Sequence, residues 1–259
     1  MKQLYLGDCL DILPTLKDKS IDHILTDIPY GTTACKWDSI IPFEPMWKEL
    51  KRIIKDNGCI ALFGSEPFSS YLRTSNIKYF KYDWIWEKNK IHGLFKNQPR
   101  RAFEIISIFY KKPPIWNEIK IKRTEKEYKL CKRTKNSKTI GTVHRPNQEF
   151  ILIRKSLEEQ WYKKPINILQ FNKDDIRNGK QHPTQKPVAL LEYLIKTYTN
   201  ENDTVLDFTM GSGSTGVASK NLNRNFIGIE KDKDYFDIAR TRINDQTKSH
   251  SQRITNTEI

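Results

Sequence analysis

The sequence predicts an α/β protein whose mostly parallel sheet is covered by helices on both faces. Two observations support this prediction. Apolar, β-prone runs alternate with segments of helical spacing in both halves of the chain, and one such run enters a glycine-rich loop directly before a helix. Strands that alternate with helices usually pair in parallel, because each helix crosses over the sheet to reach the next strand. At 259 residues the chain has the length of one such domain with room for an insertion.

The first 112 residues carry the first group of predicted elements. Residues 21–26 form an apolar run that leads straight into Asp27, and residues 59–63, between two glycines, are typical of a buried strand. Residues 43–55 have apolar side chains at helical spacing, and Asn57-Gly58 predicts the end of that helix and a turn. The remaining elements predicted here are strands at 4–6, 82–86 and 104–110 and a helix at 10–16.

Regular structure is predicted to return at about residue 181. Pro187 stands where the first turn of a helix accepts proline, so we expect a helix over 188–198. The other elements predicted in this part are strands at 204–207 and 226–230 and helices at 214–222 and 235–243. The tail, residues 247–259, is polar and is predicted to lie outside the folded part.

Most of the net charge lies in one segment between these two parts. The chain has 45 Lys and Arg against 31 Asp and Glu, and residues 111–180 hold 19 of the basic residues but only 8 of the acidic ones. A basic block between weakly charged segments indicates a phosphate-binding surface, with a solvated basic face or a protein-binding loop as alternatives. The predicted division is therefore 1–112, a basic insert at 113–180, 181–246, and a tail at 247–259.

Cysteine spacing and hydropathy argue against several classes of protein. The four cysteines have no paired spacing, which disfavours structural zinc and a disulfide framework, so no metal site is predicted. No run of about 18 apolar residues is present, and the first residues lack the apolar core of a signal peptide. The sequence predicts a cytoplasmic protein that does not enter a membrane.

The glycine-rich segment at 207–216 (DFTMGSGSTG) is a candidate cofactor loop. Glycines between a strand and a helix let the backbone approach a ligand closely, and Glu230, which closes the next strand, could accept hydrogen bonds from ribose hydroxyls. No GK[ST] sequence follows, which disfavours a P-loop. An acidic residue before the loop and hydroxyls after it suit the amino-acid tail of S-adenosylmethionine better than a pyrophosphate; a turn that only packs is the alternative. The candidate cofactor residues here are Asp207, Phe208, Met210, Gly211, Ser212, Gly213, Ser214, Thr215 and Glu230.

The turn Asp27-Ile28-Pro29-Tyr30 follows the carboxyl end of a predicted strand, where open α/β sheets place their chemistry. A carboxylate and a neighbouring carbonyl can both accept hydrogen bonds from an NH2 group, and an aromatic ring can stack on a base. The alternative is an ordinary strand-ending turn with a surface tyrosine. These four residues are the candidate catalytic residues.

Together the turn and the glycine loop resemble motif IV, [DNS]PP[YFW], and motif I of the amino-methylating DNA methyltransferases. Their order, with the catalytic motif first, the basic insert second and the cofactor loop last, is that of the β class of adenine-N6 and cytosine-N4 enzymes. The resemblance implies a Rossmann-like, S-adenosylmethionine-dependent methyltransferase fold with a mostly parallel seven-stranded sheet and a circularly permuted motif order. In such a fold the helix that ends at Ile243 adjoins the strand that begins near Leu4.

The resemblance also implies roles for single residues. It is strongest from His182-Pro-Thr-Gln-Lys-Pro to Ile243, and it places Lys186 at the methionine end of the cofactor and Asp8 at its adenine ring. Residues 1–112 would be the catalytic half, 113–180 the target-recognition insert and 181–246 the cofactor-binding half. Ile28 stands where the family usually has a proline, and because the expected contact is a backbone carbonyl, we expect activity to be retained with a less rigid turn.

The activity that the resemblance implies is methylation of adenine N6 in double-stranded DNA after base flipping, since aspartate at position 27 is typical of the adenine enzymes. Cytosine-N4 methylation and a catalytically silent DNA-binding protein on the same fold are the alternatives. The reversed motif order disfavours enzymes that methylate RNA or protein amides. A cognate restriction endonuclease, as in restriction-modification systems, and a homodimer are left open as partners. The residues expected to meet DNA are Arg100, Arg101, Lys122, Arg123, Lys132 and Arg133.

Overall fold

The computed structural model describes residues 2–31, 39–89, 97, 99–136, 161–172 and 185–245. The strands are β1 (Lys2–Leu6), β2 (Ile21–Thr26), β3 (Ile54–Gly64), β4 (Phe80–Glu87), β5 (Phe103–Phe109), β6 (Ile121–Lys122), β7 (Tyr162–Lys163), β8 (Ile168–Gln170), β9 (Thr204–Asp207) and β10 (Asn225–Glu230). The helices are α1 (Cys9–Ile12), α2 (Phe43–Ile53), α3 (Phe68–Ser75), α4 (Glu125–Asn136), α5 (Val188–Tyr198), α6 (Ser214–Asn221) and α7 (Lys233–Asn244), and a short 3-10 turn (Leu13–Thr15) follows α1.

Eight of the strands form one sheet in the order β1-β10-β9-β2-β3-β5-β4-β8. The first five are parallel to one another, β5 is antiparallel to both β3 and β4, and β8 is parallel to β4. The α/β class and the mostly parallel sheet are confirmed. The predicted count of seven strands is one too low, because β8 has only three residues, of which Leu169 alone is buried, and the sequence shows no strand pattern there.

The permuted order of the elements is visible in the pairing of the first and last strands. β1 lies parallel to β10, with Lys2 opposite Phe226 and Leu6 opposite Glu230. The ammonium group of Lys2 donates a hydrogen bond to the carbonyl of Ile243 at 3.0 Å. The last described helix therefore adjoins the first strand, as expected.

Both faces of the sheet are buried under helices. Along β2, Ile24 packs into the apolar cluster that contains Met46 and Leu50 of α2. Its neighbour Leu25 packs into the second cluster, with Leu194 of α5. Because successive side chains of a strand point to opposite faces, a strand buried on both sides reads as one continuous apolar run.

The turn predicted at Asn57-Gly58 is wrong. Helix α2 ends at Ile53, and both residues lie inside β3. A Cβ atom at Gly58 would lie 2.9 Å from the carbonyl oxygen of Asp22, at a register shift between Ile21 and His23. The glycine is needed for a close backbone approach at an irregularity of the sheet rather than for a turn.

The chain divides into two compact units, of which Glu118–Ile166 is the smaller. In this unit β6 pairs antiparallel with β7, and the ring of Tyr128 on α4 stacks on Trp161 with 3.8 Å between centroids. The unit falls within the predicted insert at 113–180, whereas the tail at 247–259 lies outside the described residues. Among the helices of the described ranges, none has the length and apolar character needed to cross a membrane.

Candidate active site

A cavity of about 450 Å³ lies at the carboxyl ends of the parallel strands of the larger unit. This volume is within the range of small-molecule sites, and this edge of the sheet is where open α/β folds bind ligands. Part of the wall comes from the turns that follow β1, β2, β9 and β10. The residues predicted as catalytic or cofactor-binding that line it are Asp8, Asp27, Ile28, Pro29, Tyr30, Lys186, Asp207, Phe208, Met210, Gly211, Ser212, Ser214, Thr215 and Glu230.

The carboxylate of Asp27 has a hydrogen-bond donor at each oxygen. The hydroxyl of Tyr30 donates to Oδ1 at 2.5 Å, and the ammonium group of Lys186 donates to Oδ2. The ring of Tyr30 lies 5.2 Å from that of Phe68 on α3, centroid to centroid. The carboxylate is thereby oriented in the wall of the cavity.

Ile28, which replaces the family's usual proline, is only 3% exposed and packs into the core on the α2 side of the sheet. The turn is therefore fixed by a buried side chain at this position instead of by a pyrrolidine ring.

Two threonine hydroxyls join the turn at Asp27–Tyr30 to the glycine loop. The Thr26 hydroxyl donates to Oδ1 of Asp207 at 2.7 Å and accepts from the backbone N–H of Phe208 at 3.0 Å. The Thr209 hydroxyl donates to the carbonyl of Asp27 at 3.1 Å. The two motifs, which lie at opposite ends of the sequence, thus form one hydrogen-bonded wall. Neither threonine was predicted as a site residue, because a hydroxyl at the end of a strand gives no distinctive sequence signal.

Asp207, which is buried, and Glu230, which is partly buried, are two acidic groups of the cavity wall. Burial raises the pKa of Asp207 to about 6, although hydrogen bonds from Thr215, Thr26 and the backbone of Thr209 act in the opposite direction. Burial also raises the pKa of Glu230, whose carboxylate accepts from the backbone N–H groups of Gly211 at 2.8 Å and Asp232 at 2.9 Å.

The two glycines of the loop are in different environments. Gly211 has φ +51°, and a Cβ atom there would meet nothing within 4 Å, because its α-carbon faces the open cavity. Gly213 has φ +79°, and a Cβ atom there would lie 2.9 Å from the Cβ of Ala239 on α7. Gly213 does not line the cavity, so its place in the structure is that of a packing glycine, unlike the other candidate residues of the loop.

Asp8 lies in the cavity wall at the start of α1. Its Oδ1 accepts from the backbone N–H of Leu10 at 2.9 Å, which caps the helix and leaves the carboxylate in the wall.

Lys186 lies between two carboxylates. Besides bonding Asp27, its Nζ atom is 3.2 Å from Oε2 of Glu104 and 5.1 Å from the centroid of the Phe63 ring. Burial on its own lowers the pKa of Lys186, but Asp27 and Glu104 outweigh it, and the pKa is raised. His182, Pro183 and Thr184 of the same motif lie outside the described residues.

Glu104 and Lys88 are cavity residues that sequence reasoning missed. The Lys88 ammonium lies 2.7 Å from Oε1 of Glu104. The sequence contains a signal for both residues, because Lys88 follows one apolar strand and Glu104 is the second residue of the next strand. Since β4 and β5 are antiparallel, the end of one and the start of the other reach the same edge of the sheet as the carboxyl end of β3.

The residues predicted to meet DNA fall in both units. Arg101 lines the cavity and donates to the Ser65 hydroxyl at 3.0 Å and to the carbonyl of Glu66 at 2.8 Å, and its neighbour Arg100 is exposed. Lys122 and Arg123 belong to the smaller unit. Lys132 and Arg133 lie on α4, and their side chains are outside the described part. No group of three potential metal ligands occurs among the residues that the structure describes.

Comparison with known proteins identifies the family to which this chain belongs. The family model for N6/N4 methyltransferases, described as DNA methylase, matches residues 21–241. The chain belongs to this DNA methylase family. Among curated relatives of this methylase, the type II methyltransferase M1.MboII of Moraxella bovis is 29% identical, over 94% of this chain and 97% of its own. The type II methyltransferase M.HpaI of Haemophilus parainfluenzae is 28% identical, over 95% of this chain and 75% of its own.

Solved structures agree with the methylase fold. The crystal structure of the M1.HpyAVI–SAM complex covers 93% of this chain and all of its own, with a TM-score of 0.60 and 27% identity. The cytosine-N4-specific PvuII DNA methyltransferase covers 96% of this chain and 88% of its own, with a TM-score of 0.65 and 17% identity, and shows the fold alone.

The methylase is a DNA methyltransferase of the N6/N4 class that uses S-adenosylmethionine. The residues of its cavity fit this cofactor. Two carboxylates, the buried Asp207 and the partly buried Glu230, can accept hydrogen bonds from an ammonium group or from hydroxyl groups, and the open space at Gly211 admits a ligand close to the backbone.

Proposed function

We propose that this methylase transfers the methyl group to adenine N6 in double-stranded DNA at a specific site, with Asp27-Ile28-Pro29-Tyr30 at the reacting centre. The observation that carries the proposal is the orientation of Asp27 in the cavity wall, where Tyr30 and Lys186 hold its two oxygens. A carboxylate has about four lone-pair positions, so it can accept a further N–H group without losing these donors.

The chemistry required of the turn follows from the nature of the acceptor. An exocyclic amino group is a poor nucleophile because its lone pair is delocalised into the ring. Hydrogen bonds from its two N–H groups to Asp27 and to the carbonyl of Ile28 would localise that lone pair on nitrogen. Holding the amine in this geometry would also contribute to the rate by proximity.

When bound, S-adenosylmethionine supplies the methyl group as an electrophile on a sulfonium sulfur. The role of the chain would be to hold the amine nitrogen toward this methyl group, whose transfer would leave the sulfur as a neutral thioether and would release one proton from the nitrogen to solvent. No covalent intermediate with the chain is needed. On the cofactor side, Asp207 and Lys186 would hold the amino-acid tail, Glu230 the ribose and Asp8 the adenine.

The target base has to leave the duplex before it can reach this turn. Unstacking costs a few kcal/mol, and stacking on Tyr30, whose ring is supported by Phe68, would offset part of that cost. We assign recognition of the duplex to the unit Glu118–Ile166 together with Arg100 and Arg101, because these residues add basic side chains that can contact phosphates. Since the relatives named above are type II methyltransferases, we further propose a restriction-modification role with a cognate endonuclease as partner.

The choice of adenine rests on Asp27, because serine is commoner at this position among the cytosine-N4 enzymes that the sequence resembles. DNA methylated in vitro by the purified protein and digested to nucleosides is expected to contain N6-methyladenine by mass spectrometry. N4-methylcytosine as the sole product would contradict the proposal and support the second candidate. Cofactor binding without any methyl transfer would support a silent DNA-binding protein.

Substitution of the carboxylate tests the mechanism directly. Asp27→Ala is expected to lower kcat by at least about 100-fold, since an acceptor aimed at the reacting group is lost, while the Kd for S-adenosylmethionine stays within a few-fold. Asp56→Ala is the matched control, because Asp56 is also ion-paired, with Lys19 at 2.8 Å, but lies outside the cavity. Equal activity of Asp27→Ala and the Asp56→Ala control would refute the assigned role.

A further inference from the structure

A chain of alternating charges leads away from Asp27 into the wall of the cavity. Lys186 bonds Asp27 on one side and approaches Glu104 at 3.2 Å on the other, and Glu104 contacts Lys88 at 2.7 Å. Asp27 follows β2 and Lys186 precedes α5. Glu104 lies in β5, and Lys88 follows β4. All four line the same cavity.

Burial makes this arrangement unlike a surface ion pair. The side chains of Glu104 and Lys186 are only 13% and 9% exposed. Buried ion pairs add little to stability compared with apolar residues of the same size, because the charges lose their hydration. A buried series of alternating charges that ends at Asp27 is therefore better explained by an effect on Asp27 than by a contribution to stability.

The charges of Lys186, Glu104 and Lys88 stabilise one another. Burial on its own raises the pKa of Glu104, but Lys186 and Lys88 outweigh it and hold the pKa at about 2. Lys186 in turn keeps a raised pKa because it faces both Asp27 and Glu104. The Phe63 ring of β3, which lies against the ammonium group of Lys186, is uncharged. The carboxylate of Asp207 interacts with that of Asp27. Glu104 is thus the group that balances Lys186 on the side away from Asp27.

We propose that Glu104, held by Lys88, is a positioning residue for methyl transfer, because it anchors the ammonium group of Lys186 and so fixes the carboxylate of Asp27. This inference rests on the role proposed for Asp27. Without the negative charge of Glu104, Lys186 has one carboxylate partner in place of two. Its ammonium group is then held from one side only and no longer fixes the carboxylate of Asp27 in one orientation, and it loses its proton at a lower pH.

The test is Glu104→Gln, which keeps the shape of the side chain and removes its charge. We expect kcat to fall about 10-fold or more at pH 7.5. We also expect the activity of Glu104→Gln to decline at a lower alkaline pH than the activity of the wild type, since loss of the Glu104 charge lowers the Lys186 pKa. Glu104→Asp, which keeps the charge, is expected to restore the wild-type profile in part. Wild-type kcat and a superimposable pH profile for Glu104→Gln would overturn the proposal.

Glu49→Gln is the matched control. The Glu49 side chain is 12% exposed and pairs with Arg52 at 2.7 Å, so it resembles Glu104 in burial and pairing, but it lies outside the cavity. It is expected to leave kcat and the pH profile unchanged. An alkaline decline in Glu49→Gln equal to that in Glu104→Gln would overturn the proposal, since it would reflect lost stability alone.

Lys88→Met provides a second, independent variant if Glu104→Gln does not fold. Without Lys88, Glu104 pairs with Lys186 alone. We therefore expect kcat to fall less than 10-fold, and we expect no decline in activity at alkaline pH relative to the wild type. A decline in Lys88→Met at alkaline pH would overturn the proposal. If Asp27→Ala is inactive but Glu104→Gln behaves as the wild type, the inference fails while the proposed function stands. Full activity of Asp27→Ala would refute the proposed function itself.

Discussion

At the scale of single residues, Asp207 shows how the fold controls the charge in the cavity. Its side chain is 4% exposed, and burial raises its pKa from 3.8 to about 6. The folded state therefore holds a proton more tightly than the unfolded chain between about pH 4 and pH 6. Over that interval the contribution of Asp207 to the free energy of unfolding falls as the pH rises. A cationic group bound beside the ionised carboxylate would compensate for this loss.

The Kd for S-adenosylmethionine is accordingly expected to depend on pH. Below pH 6 Asp207 takes up a proton and no longer attracts an ammonium group, so the Kd should be about 10-fold higher at pH 5 than at pH 7.5. Isothermal titration calorimetry over this range measures the effect. Asp207→Asn should bind weakly at every pH, and a wild-type Kd that does not change with pH would show that Asp207 does not pair with the cofactor.

Single residues also show how far a sequence can define a site. Asp27, Tyr30 and Glu230 could be identified because each lies at or just beyond the end of an apolar strand and has a side chain suited to bind a ligand. Glu104 was missed because a carboxylate near the start of a strand gains significance only when antiparallel pairing brings it to the same edge. The less rigid turn expected at Ile28 stays a prediction, and the packing of its buried side chain in the core could not be foreseen because it depends on distant residues.

At the scale of elements, the glycine loop combines one position that faces ligand with one that packs against a helix. Gly211→Ala is expected to lower the free energy of unfolding by only about 1–2 kcal/mol, the cost of a left-handed alanine, and to weaken cofactor binding. Gly213→Ala adds a collision with Ala239 to the same backbone strain, so a loss of roughly 2–4 kcal/mol is expected.

Urea denaturation of the two variants, together with calorimetric titration of the cofactor, checks this difference. Gly216→Ala, where a Cβ atom would lie 2.4 Å from Cδ1 of Ile243, serves as a control for helix packing and should resemble Gly213→Ala. If Gly213→Ala were as stable as Gly211→Ala, the packing role of Gly213 would be refuted.

The elements that were predicted well are those whose burial is uniform. β2 and β9 are covered on both faces, so their continuous apolar runs mark them clearly. β8 pairs only along three residues and α3 spans eight, too few for a period to stand out. The turn expected at Asn57-Gly58 failed because glycine also serves close strand approaches, and the sequence alone does not distinguish the two uses.

At the scale of the whole molecule, charge is the property that governs association with DNA. The chain has a net charge of +14, and the segment 111–180 accounts for most of it. Each lysine or arginine that neutralises a phosphate adds close to one unit to the slope of log K against log salt concentration.

Lys122→Ala with Arg123→Ala is therefore expected to weaken duplex binding and to lower the salt slope by about 1–2 units. Fluorescence anisotropy measured between about 50 and 200 mM salt gives both the affinity for the duplex and the salt slope. Lys17→Ala with Lys48→Ala removes the same charge from exposed positions outside the unit Glu118–Ile166 and should change the slope little. Equal slopes for the two double variants would show that net charge alone, and not this unit, governs binding.

The parallel pairing of β1 with β10 has a consequence for synthesis of the chain. Within the described residues β1 is bonded to β10 alone, so residues 2–6 leave the ribosome long before residues 225–230 can pair with them. At about 5–20 residues per second this delay is roughly ten to forty seconds. Asp27 likewise waits for Thr209, which bonds its carbonyl. The turn at Asp27 is therefore held in place only when nearly the whole chain has been made, so a nascent fragment lacks the assembled cavity wall.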